Sequence, residues 1–79
     1  MDTILTINKN QQFKIKQIES EYSLKKKLFT MGIHSNDIYI KSNGSKNGPV
    51  IIRNLSNNAS QIAIGKELAS KILVEPLGE

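Results

Sequence analysis

Residues 23–33 read SLKKKLFTMGI, and this stretch decides where the chain changes from strand to helix. Leu24, Leu28 and Met31 recur at positions i, i+4 and i+7. That spacing places the three side chains on one face of a helix and turns the lysines between them toward other faces. The stretch therefore predicts a helix of about nine residues over 23–31, with one apolar face.

The end of this predicted helix is marked by Gly32 and Ile33. Glycine readily adopts the left-handed conformation that follows a last helical turn, and the residue after it then contacts an apolar side chain five positions earlier, here Leu28. Ser20 or Ser23 is placed to cap the start of the helix. Gly32, Ile33 and Leu28 are thus expected to form a structural unit that ends the helix.

Upstream of the helix, residues 12–18 alternate between apolar and polar positions, which is typical of a half-buried strand. Phe13 and Ile15 face the core in this pattern, and the lysines beside them face solvent. Ile18 breaks the alternation, and such a slip indicates a β-bulge or bend that lets a small sheet turn a corner. Residues 3–7 are read as a short strand or an extended arm.

Downstream of the helix, residues 37–42 and 49–55 predict two further strands. In the first of them, the alternation places Ile38 and Ile40 on one side and Tyr39 on the other, outer side. The loop between the two strands is rich in Asn, Gly and Ser, which tolerate hairpin conformations. We therefore expect the two strands to pair antiparallel.

The C-terminal part adds three short elements. The pattern predicts a strand at 61–65, a helix at 66–71 and a strand at 72–74 that Pro76 stops. The order is then β-α-β-β-β-α-β, and a sheet of such short strands has to curl to bury its apolar face. We expect a mainly β fold, a small SH3-like barrel of about five short strands with one or two short helices, as a single domain over residues 1–79.

Composition limits the kind of protein that this chain can be. It has 79 residues, no cysteine and a formal net charge of +4, so hydrophobic packing has to hold the fold without disulfides or thiolate metal sites. The longest apolar runs have three residues, whereas a bilayer-spanning helix needs about 20. The N-terminus also lacks the features of a secretion signal. We therefore expect a cytoplasmic protein that does not insert into a membrane.

The order and spacing of several short motifs resemble the ferrous iron transport protein A family. These motifs lie at residues 24–28, 31–33, 38–40, 49–50, 63–64 and 69–74. The chain differs from the family pattern at Asn36, where glycine is usual, and at Gly65, where a larger and often basic residue is usual. Because Asn accepts positive φ better than other non-glycine residues, the first difference is expected to be tolerated.

The resemblance implies both a fold and a function. Members of this family are SH3-like barrels that assist a large membrane GTPase carrying ferrous iron into the cell, and a similar domain forms the C-terminal part of some metal-dependent repressors. The resemblance therefore implies that this chain is a small cytosolic accessory protein of bacterial ferrous iron uptake, and that it binds the cytosolic region of the transporter.

Residues that could carry chemistry are few. Nucleophilic catalysis needs a hydroxyl or thiol beside a base, and the single histidine, His34, lies in the turn after the predicted helix. His34 and Asp37 are close in sequence, but transition-metal sites normally gather several ligands, so a solvated turn is the favoured interpretation. We expect no enzyme activity, no cofactor and no high-affinity ferrous or zinc site.

Lys25, Lys26 and Lys27 form the one basic cluster, and Phe29 lies one turn beyond Lys25. Aromatic anchors supply much of the energy of protein interfaces and nearby charges accelerate encounter. Lys25, Lys26 and Phe29 are therefore the predicted partner-binding residues, although covering the edge of the core is the favoured role for Phe29.

Two alternative functions remain open at this point. One is a nucleic-acid-binding barrel, since residues 1–53 hold nine Lys and Arg against four Asp and Glu. Tyr39 would then be its best stacking aromatic, but the aromatics are too sparse to favour nucleic acid as the partner. The other is a free-standing relative of the repressor domain, which would bind a proline-rich or repressor-like peptide.

Overall fold

Five short strands form one antiparallel sheet in the computed structural model, which describes residues 2–19, 22–44 and 48–78. The elements are β1 (Gln12–Ile18), α1 (Tyr22–Thr30), β2 (Ile38–Gly44), β3 (Val50–Asn54), β4 (Ser60–Ile64), α2 (Lys66–Ala69) and β5 (Ile72–Leu77). Their order across the sheet is β4-β3-β2-β1-β5. The predicted order of elements, the antiparallel pairing of β2 with β3 and the mainly β, SH3-like class are confirmed.

Two irregularities in strand pairing bend the sheet. The register of β1 against β5 shifts between Ile15 and Gln17, and that of β2 against β3 shifts between Lys41 and Asn43. An extra residue in one strand increases the local twist and lets the strand change direction. The bend predicted from Ile18 is therefore present, and it lies just before Ile18. Because β1 contains an extra residue at this point, Ile18 no longer follows the alternation of Phe13 and Ile15.

The side chains of β2 face the opposite sides of the sheet from those predicted. Tyr39 is fully buried, and Ile38 and Ile40 are only half-buried. The reason is cross-strand pairing: Tyr39 lies opposite Phe13 of β1, and directly opposed residues share a face of the sheet. Their rings stack with centroids 5.6 Å apart. Tyr39 is thus a core residue and presents no aromatic face to a nucleic acid.

The described residues form one hydrophobic core. Its buried apolar side chains are Ile4, Ile7, Phe13, Ile15, Leu28, Ile33, Tyr39, Val50, Ile52, Ile62, Ile64, Ala69, Ile72, Leu73 and Val74. Both ends of the chain supply members of this set, as do α1 and all five strands. Among the described residues, no helix is long and apolar enough to cross a bilayer.

The start of α1 differs from the prediction in one respect. The helix begins at Tyr22, so Ser23 lies inside it and does not cap it. The alternative cap, Ser20, and the side chain of Leu24 lie outside what the structure describes, as do residues 45–47 in the predicted hairpin loop.

The segment before β1 is an arm that lies along β5. Thr3 bridges Leu73, the Ile4 N–H donates to the Ile72 carbonyl (3.1 Å), and the Val74 N–H donates to the Asp2 carbonyl (2.9 Å). Neither reading of residues 3–7 is correct: Thr3 forms a single bridge, and residues 4–7 form a turn in which the N–H groups of Thr6 and Ile7 both donate to the Thr3 carbonyl (3.1 Å each). The arm covers part of the outer edge of β5.

Pro76 does not stop β5, which continues to Leu77. The N–H of Val74 points away from β1, toward the arm, and strand residues two apart point the same way. The missing N–H of Pro76 would therefore also point away from β1, and no ladder hydrogen bond is lost. The helix before it, α2, is two residues shorter than predicted.

Candidate functional site

The C-terminal end of α1 is closed by a glycine turn. Gly32 has φ 97°, its N–H donates to the Phe29 carbonyl (3.1 Å), and the Ile33 N–H donates to the Leu28 carbonyl (3.0 Å). This is the Schellman pattern, in which a left-handed glycine satisfies the last carbonyls of a helix. Leu28 and Ile33 are both buried in the same core cluster. The turn fixes the direction in which residues 33–37 leave the helix.

The carbonyl of Gly32 is the centre of a small polar cluster. The Tyr39 hydroxyl donates to it (2.7 Å) and accepts from the N–H of His34 (2.7 Å). The side-chain amide of Asn54 donates to the same carbonyl (3.3 Å). Burial raises the pKa of the Tyr39 hydroxyl, so it remains a neutral donor. These bonds attach the loop after α1 to β2 and β3.

Asn54 is a fully buried polar residue. Its amide also donates to Asp37 Oδ2 (2.9 Å), and its side-chain oxygen accepts from the N–H of Ser56 (2.9 Å). The hydrogen bond from Asn54, followed by that from His34, lowers the pKa of Asp37. Sequence reasoning missed Asn54, although its position two residues after Ile52 in the inward phase of a strand was a usable signal, because a buried polar side chain needs partners.

His34 is held between two acceptors. Its Nδ1 lies 3.1 Å from Asp37 Oδ2, and its Nε2 lies 3.1 Å from the Phe29 carbonyl oxygen. An imidazole with a proton on each nitrogen can donate to both. The interpretation of His34 as a freely solvated turn residue is therefore wrong, since the side chain bridges the helix end and the loop.

Asn36 in the same loop is not among the described non-glycine residues with positive φ, so replacing the usual glycine requires no special conformation.

Beside this loop lies an open groove of about 460 Å³. It is lined by Ile18, Phe29, Ile33, His34, Ser35, Asn36 and Asp37. The Phe29 ring packs at an angle on the His34 ring, with centroids 4.5 Å apart, yet 63% of the residue is exposed. The expectation that Phe29 covers the core edge is wrong, because the turn at Gly32 directs the core contacts of the helix end to Leu28 and Ile33. Phe29 forms a wall of the groove.

The three residues predicted to bind a partner lie on one surface. Lys25 and Phe29 are one helical turn apart and Lys26 is three positions before Phe29, so all are neighbours on α1. All three are exposed. No acidic side chain among the described residues pairs with Lys25 or Lys26. We call Lys25, Lys26, Phe29 and the groove beside them the α1 surface.

A metal centre is not assembled in the described part of the chain. No three His, Cys, Asp or Glu side chains are grouped there so that they could hold an ion. His34 and Asp37 supply two candidate ligands, and both are already engaged with Phe29 and Asn54. That the chain has no high-affinity ferrous or zinc site stays a prediction, which anaerobic titration calorimetry tests.

Comparisons with known proteins agree with this architecture. A family model described as the FeoA domain matches residues 3–76, while no curated protein matches the chain. The fold is similar to that of an iron uptake regulatory protein (FeoA), with 23% identity, a TM-score of 0.78 and coverage of 95% of this chain and 94% of that one. It is also similar to the FeoA protein from Chlorobium tepidum, with 13% identity, a TM-score of 0.81 and coverage of 98% and 71%.

Proposed function

The chain belongs to the FeoA domain family, whose model covers residues 3–76, and from this membership we propose that it is a small accessory protein of ferrous iron uptake. A similar structure at 23% identity is described as an iron uptake regulatory protein. In this proposal the protein is cytosolic, has no catalytic role and binds the cytosolic region of the membrane GTPase that transports ferrous iron.

The observation that supports binding is the α1 surface. A large aromatic side chain stands 63% exposed at the rim of an apolar groove, one turn from Lys25. Exposed aromatics next to a pocket are typical anchors of protein interfaces. The lysines would mainly raise the association rate with an acidic partner surface, because their charges act over a Debye length of about 8 Å at physiological ionic strength.

The structure gives the nucleic-acid alternative less support than the sequence did. Tyr39, the aromatic that this alternative needed, is buried against Phe13. Of the aromatic side chains whose burial the structure describes, Phe29 alone is exposed, and a single ring is a poor stacking platform. The repressor-like alternative stays open and predicts binding to a peptide instead of the transporter.

The test measures binding of the full chain to the purified cytosolic region of the transporter by biolayer interferometry. Lys25→Glu with Lys26→Glu is expected to slow association about tenfold at low salt, with the difference shrinking as salt rises. Phe29→Ala is expected to leave association nearly unchanged and to hasten dissociation at least about tenfold, as loss of an anchor does.

A charge-matched control separates a local effect from a general one. Lys9→Glu with Lys14→Glu changes two exposed lysines away from α1, and each pair of changes takes the net charge from +4 to 0, since each Lys→Glu removes two units. The control pair is expected to retain more binding than the α1 pair. Equal loss in both pairs would show that only net charge matters, and no binding by the unmodified chain would reject the transporter as partner.

A further inference from the structure

The two edges of the sheet are protected differently. The outer edge of β5 is covered by the arm at Asp2 and Ile4, carries Glu75 and contains Pro76. Coverage, charge and proline are the features by which proteins prevent edge-to-edge pairing. The other edge, β4, reads Ser-Gln-Ile-Ala-Ile, with neither a charge nor a proline. Its pairing with β3 runs from Val50↔Ile64 to Asn54↔Ser60 without a register shift.

The backbone groups that β4 turns outward follow from strand geometry. The Leu55 N–H donates to the Ile38 carbonyl in β2, so by alternation Ile52 turns its N–H and C=O toward β4. Ile62 lies opposite Ile52 and bonds back to it. Gln61 and Ala63 therefore turn their N–H and C=O away from β3. No hydrogen bond from another described residue reaches these four groups, and both residues are exposed.

We infer that β4 pairs antiparallel with β4 of a second copy of this chain, about a two-fold axis at Ile62. In that register Gln61 lies opposite Ala63 of the other copy, and the reverse pair is equivalent. Each pair exchanges two hydrogen bonds, so all four outward groups are satisfied. Ile62 then faces its own counterpart on the core side, and the small side chain of Ala63 faces Gln61 on the outer side.

Two features favour a second copy over another occupant. The chain carries a net charge of +4, yet β4 itself is uncharged, so like charges do not oppose self-pairing along the seam. Because the β5 edge is blocked, β4 cannot pair head-to-tail with β5 of the next copy, and pairing closes as a dimer instead of growing into a filament. One strand pair is far smaller than a standard interface of about 1,600 Å², so the dimer is expected to be weak, with Kd between about 10 µM and about 1 mM.

Amide hydrogen exchange by NMR on the unmodified chain tests this inference at protein concentrations from about 0.1 to 10 times the Kd. At the upper end about a fifth of the chains remain monomeric by mass action, so the amides of Gln61 and Ala63 are expected to exchange about fivefold more slowly. Ile62 and Ile64, whose amides bond to β3, are expected to exchange slowly at every concentration. Sedimentation equilibrium gives the Kd independently.

A pair of variants that differ only at position 63 tests the register. Gln61→Glu with Ala63→Glu places carboxylates opposite each other across the seam and is expected to raise the Kd at least about tenfold. Gln61→Glu with Ala63→Lys places opposite charges there and is expected to restore the Kd or lower it. In both variants the carboxylate introduced at position 61 faces Arg53 within its own chain, which favours folding.

Three outcomes would overturn the inference. The first is a chain that stays monomeric up to about 2 mM. The second is protection of the Gln61 and Ala63 amides that does not depend on concentration, which would mean that the chain covers its own edge. The third is a dimer whose Kd is the same in both folded variants, which would place the contact elsewhere.

Discussion

Asn54 connects three segments through one fully buried side chain: the helix end at Gly32, the loop at Asp37 and the turn at Ser56. Unpaired polar groups in a core cost more than the net gain from a single hydrogen bond. The loop beside the α1 surface therefore depends on a residue that is itself fully buried.

Replacing Asn54 with leucine is expected to destabilise the protein by about 2–4 kcal/mol, because the buried end of the loop loses its donor and the Ser56 N–H loses its acceptor. Urea denaturation measures the change. Asn57→Ala, at an exposed position in the following turn, is the matched control and is expected to stay within about 0.5 kcal/mol of the unmodified protein. Equal effects in the two variants would show that the network contributes nothing.

Asp37 makes part of the stability depend on acid pH. Its pKa in the folded state lies below the ordinary value of 3.8, so the folded state favours the carboxylate. The resulting stability is fully present above pH 3.8 and is lost as the pH falls through the folded pKa. The test is urea denaturation between about pH 6 and about pH 2.5. At about pH 6, Asp37→Asn is expected to unfold at a lower urea concentration than the unmodified protein. At about pH 2.5, the two proteins are expected to unfold at the same urea concentration. A difference that persists unchanged at the acid end would contradict this role.

Among the elements, the end of α1 could be predicted from sequence because it depends on local chemistry. A glycine followed by an apolar residue after an i, i+4, i+7 stripe specifies the turn, and Gly32 has φ 97° as that pattern requires. The facing of β2 could not be predicted in the same way. Alternation gives the period of a strand but not its phase, and the phase of Tyr39 is set by pairing with Phe13, which lies in a strand on the other side of α1 in the chain.

The glycine turn supports a prediction with an internal control. Gly32→Ala is expected to destabilise the protein by about 1–2 kcal/mol, the cost of the left-handed conformation for a residue with a Cβ. Steric overlap adds little, since the new Cβ would lie at an ordinary 3.5 Å from Ile62 Cδ1. Gly65→Ala is expected to stay within about 0.5 kcal/mol of the unmodified protein, because φ −60° and the open space around a Cβ favour alanine while the N-cap position of α2 favours glycine. Thermal unfolding of both variants measures the difference, and an equal loss would contradict it.

The same logic applies to the candidate site. Lys25, Lys26 and Phe29 could be chosen from their spacing on a helix, and the structure places them on one exposed surface. The groove, however, requires Ile18 of β1 to lie next to the loop after α1. Such contacts across elements have no signature in a single sequence.

At the scale of the whole molecule, the arm before β1 joins the two ends of the chain. Ile4 and Ile7 enter the core, and the turn between them is held by Lys41, whose Nζ donates to the carbonyls of Leu5 (3.0 Å) and Ile7 (2.8 Å). Burial lowers the pKa of Lys41. The arm also forms the cover on the outer edge of β5. Stability and protection of the sheet edge therefore depend on the same few residues.

Adjacent residues in the arm provide the test. Ile4 is 0% exposed and Leu5 is 37% exposed, so Ile4→Ala is expected to cost about 2–4 kcal/mol and Leu5→Ala less than about 1 kcal/mol. A domain of this size has a total stability of only about 4–12 kcal/mol, so the loss at Ile4 is a large fraction of it.

Since the Ile4 N–H also bonds to Ile72, weakening the arm exposes β5, and Ile4→Ala is expected to form large assemblies during mild heating. Light scattering alongside urea denaturation measures both effects. Two results would contradict this role of the arm. One is that Leu5→Ala assembles as much as Ile4→Ala, and the other is that Ile4→Ala stays folded and does not assemble.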